Sequence, residues 1–251
     1  PSSDDVLTLG HQKYKSALLD HHEVDVYIHS WSKEFEEQIK SLYNPVSYLI
    51  EQQENFDIPD YVKGDHPAQP RRRFNHYSRW RTTQKVLNLK NESDKEYDYT
   101  LLTRFDWGFE KKIDFESLEK GVIYCSNWHG VSYDHVPDIF QDGRGIYYQL
   151  EDRVDVSGLP RHGRGYPYDG EGILDGWFIG DDTTIQVFAD LFDNLNNYMI
   201  PGNCPQAPFV SNHKMALYHI QQKGLMSNLQ FITDPVLDHC VLRYKYFNAR
   251  L

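Results

Sequence analysis

Apolar positions recur along this chain in two periods, and the switches between those periods predict its elements. Over 6–20, "VLTLGHQKYKSALLD", Leu7, Tyr14, Leu18 and Leu19 fall on one helical face despite Gly10. The stretch "VDVYIHSW", 24–31, changes to a period of two in β-branched and aromatic residues, so a strand is expected there. It ends in His29-Ser30-Trp31-Ser32, polar groups at a strand's carboxyl end, which is where open α/β sheets take ligands. Ser32 is equally placed to cap the helix that "KEFEEQIKSLY", 33–43, predicts. A second strand is expected at 46–52 and a loop at 53–74, from its Pro, Gly, Asp and Asn content. A helix follows at 75–91, carrying Trp80, Val86, Leu87 and Leu89.

Beyond it, 97–104 and 121–125 read as strands, and 127–170 is rich in Gly, Pro, Asp and His with weak periodicity. An irregular segment that long inside a domain is more often functional than idle. "GILDGWFIG", 172–180, is apolar but broken by an acid, and 181–199 reads as an amphipathic helix capped by Asp181 or Asp182. A further helix over 210–225 closes at Gly224, and 242–247 reads as a strand. Strands alternate with helices, with no internal repeat and no low-complexity linker. The expectation is one α/β domain over 1–251, its central sheet mixed but mostly parallel and flanked by helices.

Charge narrows the partners. The net charge of −11 argues against a broad nucleic-acid-binding surface, because neutralising phosphates requires clustered Lys and Arg. One island departs from this: "RRRFNHYSRWR", 71–81, holds five arginines, a histidine and three aromatic residues. It suits either a solvated face or a phosphorylated small molecule, since guanidinium forks match phosphate oxygens. Three well-separated cysteines, Cys125, Cys204 and Cys240, show no zinc spacing and fit a reducing compartment, so a cytoplasmic protein is expected. No apolar run approaches the length of a membrane span, and no basic-then-apolar leader opens the sequence.

The chemistry concentrates where apolar runs meet acids. Asp106 follows the strand "YDYTLLTR", and a carboxylate beside a buried strand requires a partner. Arg104 is one candidate and a divalent cation, Mg²⁺ or Mn²⁺, the other. Glu171 and Asp175 stand four apart beside Trp177 and Phe178, so they are candidates for a general base next to a sugar-stacking ring, or for turn and capping acids. His213, at a helix start, is a candidate metal or phosphate contact, or a satisfied structural histidine.

Taken in order, "DVYIHSWS", "LYNP", "NHYSRWRTTQKVLNLK", "YDYTLLTRFD", "EGILDGWFIG" and "SNHKMALYHI" resemble nucleotide-sugar glycosyltransferase-like proteins of bacterial polysaccharide clusters and of large viruses and phages. The resemblance spans about residues 20–247. It implies a Rossmann-like GT-A fold, a nucleoside-diphosphate sugar donor of UDP or GDP type, and a glycan hydroxyl as acceptor. It further implies that Asp106 and His213 hold Mn²⁺ or Mg²⁺, and that Asp175 or Glu171 is the base of an inverting transfer. Ser30, Ser78, Arg79, Lys85, Arg104 and Trp177 would face the donor. Arg104 stands where such enzymes carry the first acid of an Asp-x-Asp, which also allows a diphosphate to be held without a cation. The resemblance places the usual first, base-holding strand before residue 1. A non-catalytic carbohydrate-binding or virion-associated protein on the same fold is the alternative.

Overall fold

The computed structural model describes residues 4–64, 71–126, 173–232 and 239–242. Helix α1 (Asp4–Tyr14) runs into one π-helical turn at Lys15–Leu19, close to the expected helix. Strand β1 (Tyr27–Ser30), helix α2 (Glu36–Tyr43) and strand β2 (Ser47–Ile50) form a βαβ unit whose strands pair in parallel, Tyr27 opposite Ser47. Helix α3 (Arg71–Asn91) begins earlier than its apolar periodicity indicates, so the arginine island is helical rather than loop. Its charged first turn carries no apolar signal to extend the pattern.

A four-stranded sheet forms the centre, in the order β3 (Thr100–Leu102), β6 (Phe178–Gly180), β5 (Ile123–Cys125), β7 (Leu229–Phe231). β6 is antiparallel to both β3 and β5, and β5 is parallel to β7. A separate antiparallel pair joins β4 (Trp107–Phe109) to β8 (His239–Val241). The α/β class is therefore as expected, but the mostly parallel sheet is not. Among the described strands three of five pairings are antiparallel and the sheets are small. The predicted strand stops at Leu102, and after the turn at 103–106 the chain enters β4, which pairs antiparallel with β8 outside the central sheet.

Period-two alternation places side chains of the central sheet in two cores. Ile123, Cys125 and Phe178 join one apolar cluster with Trp80 and Leu87 of α3, Leu195 of α4 (Leu191–Tyr198) and Ile220 of α5 (Asn212–Gln222). Tyr124 and Ile179 point the other way, to Leu7 and Tyr14 of α1, Ile39 and Tyr43 of α2, and Trp107 and Phe109 of β4. Helix 181–199 resolves into a 3₁₀ turn at Ile185–Phe188 and the shorter α4, because Asp181 draws the Thr183 and Thr184 amides into a local cap (3.0 and 2.8 Å). α5 follows expectation: Ser211 accepts from the Lys214 amide, and Gly224 leaves the helix at φ +72°. Ser32, by contrast, makes no side-chain cap; its own amide donates to Ser30 Oγ. The irregular segment 127–170, Glu171 and 243–247 of the last expected strand lie outside the described residues.

Candidate functional site

The arginine and aspartate that follow β3 are turned to face each other. The Trp107 amide donates to the Arg104 carbonyl at 3.1 Å, closing a tight turn through Phe105 and Asp106. The side chains then meet as a fork, Nε to Oδ1 at 2.8 Å and Nη2 to Oδ2 at 2.7 Å, engaging both carboxylate oxygens of Asp106. Three residues hold this turn. Tyr14 of α1 donates its hydroxyl to the Arg104 carbonyl at 2.7 Å and lies 2.7 Å from Thr103 Oγ1. Gly10 lets α1 approach, since a Cβ there would stand 2.3 Å from the Phe105 carbonyl oxygen. The Leu242 amide donates to the Asp106 carbonyl at 2.9 Å.

Asp175 is brought to the same place from the far side. The Ile173 amide donates to the His213 carbonyl at the start of α5, and the Leu174 amide to the Ser126 carbonyl at the end of β5. The next residue thus projects between α5 and the turn. Its Oδ2 lies 3.8 Å from Arg104 Nη1 and its Oδ1 lies 3.4 Å from His213 Nδ1. Arg79 of α3 completes the group by donating Nη2 to the Asp175 carbonyl at 3.0 Å. Burial pushes the Asp175 carboxyl up, but His213, Arg104 and Arg79 together outweigh it and hold the group below the ordinary carboxylate range. Burial likewise lowers Arg79 to about 10, partly offset by Asp175. For Arg104, Asp106 and Asp175 overcome the cost of burial and raise the guanidinium above its usual value.

Five predicted residues therefore converge: Arg79, Arg104, Asp106, Asp175 and His213. Ser30, Ser78 and Lys85 gather elsewhere, at the carboxyl ends of β1 and β2. There Lys85 is bonded to Glu51 and reaches Glu54 Oε2 at 3.2 Å, with its ammonium 4.5 Å from the Trp31 ring centre. His29 meets Glu51 at 3.1 Å, Arg81 meets Glu54 at 2.7 Å, and Ser78 donates to Gln53 at 2.9 Å. Burial lowers His29, which Glu51 opposes in part. This is a charge-matched network in which Lys85 is neutralised by two carboxylates. Trp177 belongs to neither group; its ring is buried in the core, edge-on to Phe109 at 5.6 Å, rather than facing a cleft. Sequence reading missed Tyr14 and Thr103, for which an amphipathic helix and a strand terminus give no chemical signal.

The donor set fits a divalent cation poorly. Both oxygens of Asp106 are taken by Arg104, and the same guanidinium stands within 4 Å of Asp175. Among the described residues no three His, Cys, Asp or Glu side chains converge to hold a metal. No helix among them is long and apolar enough to cross a membrane. A scan against protein-family models and a search of curated proteins both find no match.

Proposed function

We propose that the chain is a glycosyltransferase, moving a sugar from a nucleoside-diphosphate donor of UDP or GDP type to a hydroxyl of a glycan, on a Rossmann-like domain of GT-A type. In that reaction the bond from the anomeric carbon to the diphosphate oxygen breaks and a bond to the acceptor oxygen forms. The acceptor's proton departs and the nucleoside diphosphate leaves with the electron pair. The protein must stabilise the negative charge that accumulates on the leaving oxygens. The observation that carries the reading is the convergence of two arginines, two carboxylates and a histidine from four separate chain segments onto one turn beside the central sheet. A chain does not gather so many partly buried charges without cost, and perturbed charged groups clustered in this way are the usual mark of a working site.

Asp175 is the less suitable half of the assignment. A base for an acceptor hydroxyl works best with a pKa near neutrality, whereas Asp175 is held low by its cationic neighbours. Its role here is to anchor the arginines. Titration with UDP, GDP and their sugar conjugates, followed by calorimetry and thermal shift, tests the reading. A dissociation constant in the micromolar range for a nucleoside diphosphate, weakened in Arg79→Gln, is expected. Silence toward every nucleoside diphosphate, with binding of free glycans retained, would favour the carbohydrate-binding alternative and sink the transferase.

A further inference from the structure

We propose that Arg104 is the resident cation of this site, so that it engages an anionic diphosphate through Arg79 and without a divalent ion. The inference rests on the glycosyltransfer reading for the identity of the anion, but its statement about metal stands by itself. Three features carry it. Arg104 occupies the space between Asp106 and Asp175, forked to the first at 2.8 and 2.7 Å and 3.8 Å from the second. A divalent ion on these carboxylates would have to share them with a guanidinium a few ångströms away, and like charges at that separation in a partly buried site repel strongly.

Arg79, by contrast, has no carboxylate bonded to it. Its partners are the Asp175 carbonyl at 3.0 Å and the Thr83 hydroxyl at 2.5 Å, both neutral, and its buried Nε has no partner. A guanidinium with no bonded anion is the group in this cluster best prepared to receive phosphate oxygens. The Arg104–Asp106 fork then stands where an Asp-x-Asp and its metal would: it fixes a guanidinium just beyond β3, and Arg104 and Arg79 together offset Asp106 and Asp175. The charges of Arg79, Arg104, Asp106 and Asp175 sum to zero before ligand binds, which leaves no surplus of carboxylate to recruit a cation.

The decisive measurement uses the full chain stripped with EDTA. Mn²⁺ alone is titrated by calorimetry and by its paramagnetic resonance signal, and UDP and GDP are titrated separately in EDTA and in excess Mn²⁺. We expect no saturable Mn²⁺ binding below about 1 mM, and nucleoside-diphosphate affinities that agree within about threefold between the two conditions. Arg79→Gln should weaken that affinity at least tenfold in EDTA, with Arg79→Lys intermediate. Arg104→Asp, which rebuilds an Asp-x-Asp, should acquire Mn²⁺ binding. Should that variant not fold, the wild-type titrations decide the matter on their own. Tight Mn²⁺ binding by the wild type, or nucleotide binding that needs Mn²⁺, overturns the proposal. If no nucleoside diphosphate binds in either condition the transferase reading falls, while the Mn²⁺ titration still judges the role of Arg104.

Discussion

Replacing Arg104 by methionine keeps much of the stem's volume and removes only the guanidinium, so the variant isolates what that charge does. Asp106 and Asp175, whose side chains are 13% and 9% exposed, lose a shared cation. Removing one partner of a buried pair costs about 3–5 kcal/mol, because the remaining charge stays desolvated. The Arg104 side chain is 24% exposed, and Asp175 keeps His213 and Arg79 nearby, so solvent and neighbours screen part of the loss. About 2–3 kcal/mol at pH 7 is the resulting expectation. The pH dependence carries the sharper test. In the wild type the folded Asp175 titrates below its unfolded value, so its stabilisation is present above that value and is lost as pH falls through the folded one. In Arg104→Met the Asp175 carboxyl loses one of the cations that hold it low and titrates higher, and protonation relieves its unpaired charge. The gap between the two proteins should therefore be widest above about pH 5 and narrow below about pH 4. Urea unfolding followed by circular dichroism at several pH values measures it. A gap that stays constant across that range would mean that the fork contributes packing and not charge, and the account of this site would fail.

Other substitutions test the supports of the turn and the core. Gly176→Ala drives a Cβ to 2.5 Å from the buried Trp107 ring, and should cost about 2 kcal/mol by overpacking; an unchanged thermal midpoint would show that the ring yields freely. Tyr14→Phe leaves the Arg104 carbonyl without its hydroxyl donor and should lower stability by about 1 kcal/mol, with nucleoside-diphosphate affinity falling as the turn loosens. His219 is fully buried between the Tyr198 hydroxyl and the Val187 carbonyl, and burial lowers its pKa. The folded state therefore favours neutral His219, whose stabilisation is full above the unfolded value of about 6.5 and is lost as pH falls below it. His219→Gln should flatten the slope of stability against pH between 7 and 5; an unaltered slope would assign it to other groups.

What the sequence disclosed, and what it hid, divides along physical lines. Periodicity located β1, α2, β2 and α5 because each pairs a regular apolar face with a clear stop, such as Asn44 after α2 or Gly224 after α5. It missed the first turn of α3, where arginines are helix formers but not apolar, and it overran at 97–104, where the apolar run continues into a turn. For the site, residue type singled out Arg104, Asp106, Asp175 and His213, and the family resemblance added Arg79. Neither sufficed to decide what lies between them. Two residues apart in sequence, Arg104 and Asp106 pair because the chain reverses at Phe105, and that reversal depends on Gly10, Tyr14 and Leu242, all remote in sequence. Lys85 stands apart from that cluster for the converse reason: its two acids, Glu51 and Glu54, come from beyond β2 and cannot be foreseen from α3.

Asp175→Asn separates the roles left to that residue. Its backbone carbonyl, which accepts from Arg79, survives the change, and only the carboxylate's charge between Arg104 and His213 is lost. If Asp175 balances arginines that hold a diphosphate, removing its negative charge makes the site more positive, and the affinity for a nucleoside diphosphate in EDTA should rise by roughly three- to tenfold at low salt. A metal ligand predicts the reverse, a loss of affinity in Mn²⁺ and no change in EDTA. A general base predicts neither: binding would hold constant while turnover collapses and the acidic limb of the kcat/KM profile disappears. The depressed pKa of Asp175 already weighs against the last outcome, since a carboxylate stabilised by His213, Arg104 and Arg79 gains little by taking a proton. Weaker nucleotide binding by Asp175→Asn in the absence of metal would show that the charge balance proposed for Arg79, Arg104, Asp106 and Asp175 is wrong in sign.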